Sequence, residues 1–494
     1  MGLLALIWFC IRVIPKPSRA RYPCQRLAFP LASGFVIWVL GAFGSLAVLR
    51  KARRRFAQSR YLLAGLLVAV GVAAMSLTIT ITDSPGVMAD VTANDPIGTA
   101  GGLYPGRVVW VRDPAATDWA GPGSGTRPYD AVEQSVVDTM LEKAMLAYTG
   151  EDTLADAWDA VIRHFNQQQG KGDVGYTAGE KIFIKTNFTL TFDGDRTKAN
   201  PGWWGYSVDR VDCTDNSPQV TIALLNQLIN EVGVTPSDIT IGDPSRVVPD
   251  YWYDMVHGAS GLGNVQILDN ATSSANGRTY RQAQYSSTRF YWSDPDTNHF
   301  TDVTNDDYVP VSFDEAAYFI NFPVLTSHSD AGVTICGKNH YGSLLRSPTD
   351  SGYYDMHLTR ALEISTDGNY RCMVDLMGHE KVGGNTLLCV TDGLFGAVSW
   401  WHGPVKWDMS PFDTDWTSSV MVSQDQVAMD SVCFDFLYNE YDTSGSFPYD
   451  YPHMGGTDDY MHEAAQADSP VSGAVYDPEA DSVVMDSLGT HEHW

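Results

Sequence analysis

From residue 107 onward, short apolar runs of three to six residues recur along the chain, separated by polar turns and by stretches with apolar residues at helical spacing. Runs of that length, bounded by Gly, Pro, Asn or Asp, are the pattern of strands buried on both faces, as a parallel sheet requires. Arg107–Arg112, Lys181–Lys185, Asp238–Ile241, Tyr318–Ile320, Leu387–Thr391 and Val420–Ser423 predict such strands. Helical period predicts helices over Ser135–Tyr148, Leu154–Phe165, Asp355–Ser365 and Tyr370–Met377. Two further helices carry boundary signals: Ser217-Pro218 opens one that runs through Val232 and closes at Gly233, and Asp425 caps one that reaches Tyr438. Strand, helix, strand between Lys181 and Ile241 is one crossover unit, so Lys185 and Asp243 should leave a shared sheet at the same edge. The expected fold class is therefore α/β, a mainly parallel sheet with flanking helices over residues 107–494. A polar, aromatic-rich insertion near 270–312 shows no clear period.

The N-terminal portion has a different pattern. Phe29–Leu49 and Tyr61–Ile81 are each 21 residues without a charge, long enough to cross a hydrocarbon core of about 30 Å. They predict a transmembrane helical hairpin, which makes residues 1–82 a membrane anchor and residues 83–106, rich in Gly, Pro, Asp, Thr and Ala, a linker. Leu3–Ile14 contains Arg12 and reads as an interfacial helix or a third span. The loop at 50–60 holds six positive charges and argues for a cytoplasmic position, with the C-terminal domain on the extracytoplasmic (periplasmic) side. Lys16, Arg19, Arg21 and Arg26 pull the other way. The Arg53-Arg54-Arg55-Phe56 stretch before an apolar segment also resembles a twin-arginine export signal, which would place the domain on the same side.

Charge and cysteine content narrow the function classes. The chain of 494 residues carries a net −27, but residues 1–82 hold eleven Lys or Arg and no Asp or Glu. The other 412 residues therefore have 21 basic against 59 acidic side chains, a net −38 that repels nucleic acid. The seven cysteines include no Cys-x-x-Cys pair, which removes a local iron–sulfur motif. Cys336, Cys389 and Cys433 sit in apolar runs as small buried hydrophobes, while Cys213 and Cys372 could pair outside the cytoplasm. The loop Gly-Pro-Gly-Ser-Gly at 121–125 lacks the Lys and the strand–helix framing of a phosphate-cradling loop.

Reactive side chains concentrate at the ends of the apolar runs. Between Tyr318 and Tyr341 two runs deliver His328, then Lys338, Asn339 and His340, and Lys185, Asn187, Asp243 and Asp392 follow other strands in the same way. Asp430 falls early in the last helix. An open α/β sheet collects such residues at its carboxyl edge. Asp243 before Pro244 and Asp392 before Gly393 also suit turns, and Asp425 suits a helix cap.

The order of these pieces resembles the Domain of Unknown Function 362 family. The resemblance is carried by Asn321-x-Pro323-x-x-x-Ser327-His328, Gly332-Val333-Thr334 and Gly337-Lys338-Asn339-His340-Tyr341-Gly342. Ile182–Asn187, Ile241–Pro244, Val390–Gly393 and Ser423–Asp430 agree with it, over roughly Arg107 to Pro478. It implies an α/β domain of unsettled chemistry. Within that frame we expect an enzyme site for a small anionic or hydroxylated substrate, with His328, Lys338, Asp392 and Asp430 catalytic and Lys185, Asn187, Asp243, Asn339 and His340 binding substrate. Asp243, Asp392 and Asp430 with His328 would suit a divalent ion, although none stands at a local metal-ligand spacing. The alternative is a carbohydrate or cell-envelope binding module. It would stack sugar rings on Trp203-Trp204, Tyr251-Trp252-Tyr253, Tyr291-Trp292, Trp400-Trp401 and Trp407, read as exposed loop residues.

Overall fold

Lys-Ile-Phe-Ile-Lys at 181–185 shows how the sheet is built: its central residues are all buried, with alternate side chains on opposite faces. Ile182 and Ile184 enter one apolar cluster and Phe183 the other, so the strand lies between two helical layers. A computed structural model describes residues 96–188, 215–269, 280–294, 306–328, 331–345, 369–399, 402–442 and 454–492. The predicted spans at 29–49 and 61–81, the segment Leu3–Ile14, the helix over Asp355–Ser365, Cys213, Trp203-Trp204 and Trp400-Trp401 lie outside those residues. Among the described residues no helix is long and apolar enough to cross a membrane.

The sheet has ten strands: β1 (Val109–Arg112), β2 (Lys181–Lys185), β3 (Ile239–Gly242), β4 (Gln266–Asp269), β5 (Arg281–Gln282), β6 (Ala316–Asn321), β7 (Val324–His328), β8 (Gly332–Val333), β9 (Thr386–Ala397) and β10 (Ser419–Ser423). Their order is β8-β7-β9-β6-β2-β3-β4-β5, and β10 joins β9 to β1. The run from β9 to β5 is parallel, whereas β10 pairs antiparallel with both β9 and β1. Asn321-Phe322-Pro323 interrupts what would be one strand, so β6 and β7 both lie parallel to β9. Proline supplies no N–H to the ladder, which accounts for the break.

On one face pack α1 (Gln134–Thr149), α2 (Leu154–Gln168), α3 (Pro218–Gln227) and α4 (Asp250–Gly258). Their buried Leu141, Trp158, Leu224 and Trp252 meet Ile182, Ile239, Ile320 and Val390 from the sheet. On the other face, α6 (Cys372–Gly378), α7 (Gln426–Leu437) and α8 (Met454–Ala465) cover Phe183, Phe319, Cys389 and Met421. Each fully buried Leu, Ile, Val or Phe side chain contributes about 1.5–3 kcal/mol. The helix signals read in the sequence operate as local chemistry: Ser217 accepts from Val220 N, Asp425 accepts from Ala428 N at 2.8 Å, and Gly233 stops its helix at φ +82°.

The insertion near 270–312 differs from its unpatterned expectation. It supplies β5 and an antiparallel pair, Tyr285–Tyr291 with Asp306–Pro310, whose polar face hides the period. The aromatic loops are also corrected: Trp252 lies on α4 and, with Trp292 and Trp407, is buried in the core. Cys336, Cys389 and Cys433 are fully buried, as expected.

Candidate functional site

Parallel pairing fixes the centre of the site. Lys185 is opposite Gly242 on β3 and Asn321 on β6, so three strand ends arrive at one edge in register. Gly242 leaves β3 at φ +152°, where a Cβ would stand 2.0 Å from Leu268 O, and this tight exit turns Asp243 towards Lys185. Lys185 Nζ donates to Asp243 Oδ2 at 2.8 Å and to Thr186 O at 2.8 Å. Asn339 Oδ1 lies 3.4 Å from the same Nζ. Lys185 and Asp243 are both buried, so the pair is held with little water between them.

A short helix, α5 (Cys336–Asn339), brings the Gly-Lys-Asn-His segment over this pair. Asn339 Nδ2 donates to Lys185 O and to Asn321 Oδ1, at 3.0 and 2.8 Å. Asn321 Nδ2 is shared between Cys336 O and His340 Nε2, each at 3.0 Å. An amide that donates to Nε2 requires the proton of His340 on Nδ1, which can then donate to Ser343 Oγ at 3.2 Å. Burial, reinforced by the Lys185 charge, lowers the His340 pKa to about 3, so the ring is neutral.

Above the pair lies a cavity of about 40 Å³, room for a few water-sized groups. Asn187, Asp243, Ser245, Arg246, Lys338 and Asn339 supply its polar wall. Asp243 Oδ1 accepts from Ser245 N and Oγ, at 3.0 and 3.1 Å. Lys338 Nζ stands 3.8 Å from the centre of the Tyr341 ring, a cation–π distance. Burial lowers the pKa of Lys185, Asp243 opposes that shift, and Arg246 adds to it. Arg246 and Lys338 line the cavity together with Asp243, and the charges of Asp243 and Asp215 both act on Arg246.

The structure thus brings together Lys185, Asn187, Asp243, Lys338 and Asn339 of the expected set. The other four do not line the cavity. His340 is fully buried and bonded to Asn321, behind the Asn339 that reaches the cavity. His328 ends β7, where its Nδ1 accepts from Ala331 N at 3.2 Å, and it is not among the residues lining the cavity. Asp392 lies within β9 and accepts from Ser217 N at 2.6 Å, which anchors the start of α3; burial raises its pKa. Asp430 accepts from Cys336 N at 2.6 Å, Gly337 N at 2.9 Å and Tyr460 OH at 3.0 Å, so it fastens the turn that presents Lys338. Burial raises its pKa to about 6 against the pull of those bonds. Asp243, Asp392, Asp430 and His328 are consequently tied to different partners rather than gathered as one ligand set. His379 and His402 bond to Arg289 O and Ser399 Oγ, away from the cavity.

Arg246, Asn321 and Tyr341 were missed in the sequence. Asn321 could have been found by the reasoning that found Lys185, since it also ends a parallel strand. Arg246 and Tyr341 lie in turns, where direction is not encoded in spacing.

The family model described as Domain of unknown function (DUF362) matches residues 232–435. That stretch holds Asp243, His328, Lys338, Asn339, His340, Asp392 and Asp430 and leaves Lys185 and Asn187 outside it. No curated protein matches the chain.

Proposed function

We propose that the cavity binds a small anionic ligand, a carboxylate or phosphate, and that the chain is an enzyme acting on it. One observation carries the reading: Arg246 and Lys338, from separate segments, line one cavity together with Asp243, the partner of the buried Lys185. The two cations would hold the anion, Arg246 in a fork and Lys338 as a point charge. Asn187 and Asn339 would orient its hydroxyl or carbonyl groups. Lys185 and Asp243 together would take and return a proton, since burial lowers the Lys185 pKa and so favours the free amine that can accept one.

The site would work outside the cytoplasm, with residues 1–82 as its anchor. The two uncharged runs and the basic loop between them support that placement.

Calorimetric titration of the purified chain with inorganic phosphate and with small hydroxy acids tests the ligand class. Binding that weakens at least tenfold in Arg246→Met and Lys338→Met, and not in the surface variant Lys406→Met, supports it. Equal binding in all three would refute it. Protease accessibility of the C-terminal domain in sealed membrane vesicles tests the anchor, and a domain facing the cytoplasm would overturn the orientation.

A further inference from the structure

Three side chains of metal-ligand type converge where α8 meets the C-terminal segment. Asp458 and His462 stand one turn apart on α8 and so share a face. The short strand Thr490–His491, paired antiparallel with Ile97–Gly98, carries His491 against them. His491 Nε2 lies 2.8 Å from Asp458 Oδ1, and His462 Nδ1 lies 3.8 Å from Asp458 Oδ2. The two imidazoles meet edge to face at 4.8 Å between centres. One ligand atom from each of the three residues falls within 4.8 Å of the other two. Tetrahedral coordination with bonds of about 2.0–2.2 Å places ligand atoms about 3.3–3.6 Å apart, so modest side-chain rotations close the trio on an ion.

A second observation points the same way. His491 Nδ1 is bonded to Ser431 Oγ on α7 at 2.7 Å, which fixes the ring and leaves Nε2 aimed at the carboxylate. Metal-binding imidazoles are oriented in this manner by a bond at their other nitrogen.

We infer that Asp458, His462 and His491 bind a divalent transition-metal ion of the zinc class. Two imidazoles and one carboxylate suit such an ion and not calcium or magnesium, which prefer six or more oxygens. Three protein ligands leave a fourth position for water, reached from the side where His462 and Asp458 are 29% and 20% exposed. The ion would tie the C-terminal strand to α8. Since Tyr460 of that helix donates to Asp430, the ion also stiffens the support of the Lys338 turn.

The test uses the full chain, purified in detergent, stripped with EDTA and titrated with zinc chloride by calorimetry and by thermal unfolding. Expected are micromolar or tighter binding and a zinc-dependent rise in Tm. In His462→Ala the affinity falls at least tenfold and the rise in Tm disappears. Ser431→Ala, which keeps all three ligands, weakens binding about tenfold. His491 is buried and its replacement can impair folding, so the partly exposed His462 carries the decision. No zinc binding at micromolar concentrations, or binding unchanged in His462→Ala and Asp458→Asn, overturns the inference.

Discussion

Asp243 and Asp430 are both buried carboxylates packed beside the same short helix, yet they do opposite things. Asp243 meets a lysine ammonium and a cavity; Asp430 meets two backbone N–H groups and a tyrosine hydroxyl. One charge is opposed by a charge, bonded to Ser245 at its other oxygen, and borders the cavity. The other is absorbed by the chain itself and serves to fix a turn. Burial and residue type therefore do not identify a functional acid. Its partners do.

The sharpest way to break this contrast is Lys185→Met, which leaves Asp243 buried without its cation and should destabilise the domain by about 3–5 kcal/mol. Adding Asp243→Asn should recover much of that loss in a double-mutant cycle read by urea unfolding. Strictly additive effects would dissolve the pair.

Asp430 is tested by pH. Its folded pKa of about 6 lies above its ordinary 3.8, so the folded chain keeps a proton that the unfolded chain has already lost. Stability from this group therefore falls as pH rises from about 4 to 6, by on the order of 2–3 kcal/mol, and stays lower above it. Asp430→Asn should flatten that descent in urea melts taken across the window. Lys185 has the opposite sign: its pKa is lowered, so its contribution to stability rises with pH towards the ordinary lysine range.

Gly342→Ala comes next. An added Cβ would stand 2.4 Å from Asp243 Oδ1 and 2.8 Å from Ser245 Oγ. The crowding should lower stability by about 1–3 kcal/mol and reduce anion binding through a residue that bears no charge. The smallest change in stability belongs to Lys338→Met, within about 0.5 kcal/mol, because the side chain is only half-buried. Its effect should appear in the phosphate titration instead. A large loss of stability would assign Lys338 to the group that fixes the turn.

Periodicity and end signals in the sequence determined that short buried strands alternate with amphipathic helices, that Ser217 and Asp425 start helices, and that Lys185 and Asp243 leave parallel strands at one edge. These are local or pairwise consequences of covalent chemistry: a side-chain period of two or 3.6, a capping oxygen, a crossover between neighbouring strands. Tertiary structure alone decided which strand-end groups share a cavity. His328 and Asp392 look like Lys185 and Asp243 in sequence because a polar residue after an apolar run is written the same way whether it meets a ligand or a backbone amide, and Asp430 early in a helix is no more distinctive. The direction of a side chain at a strand end depends on turns and on packing against segments far along the chain, such as Tyr460 over Asp430 and Ser217 over Asp392, and no local pattern encodes those meetings.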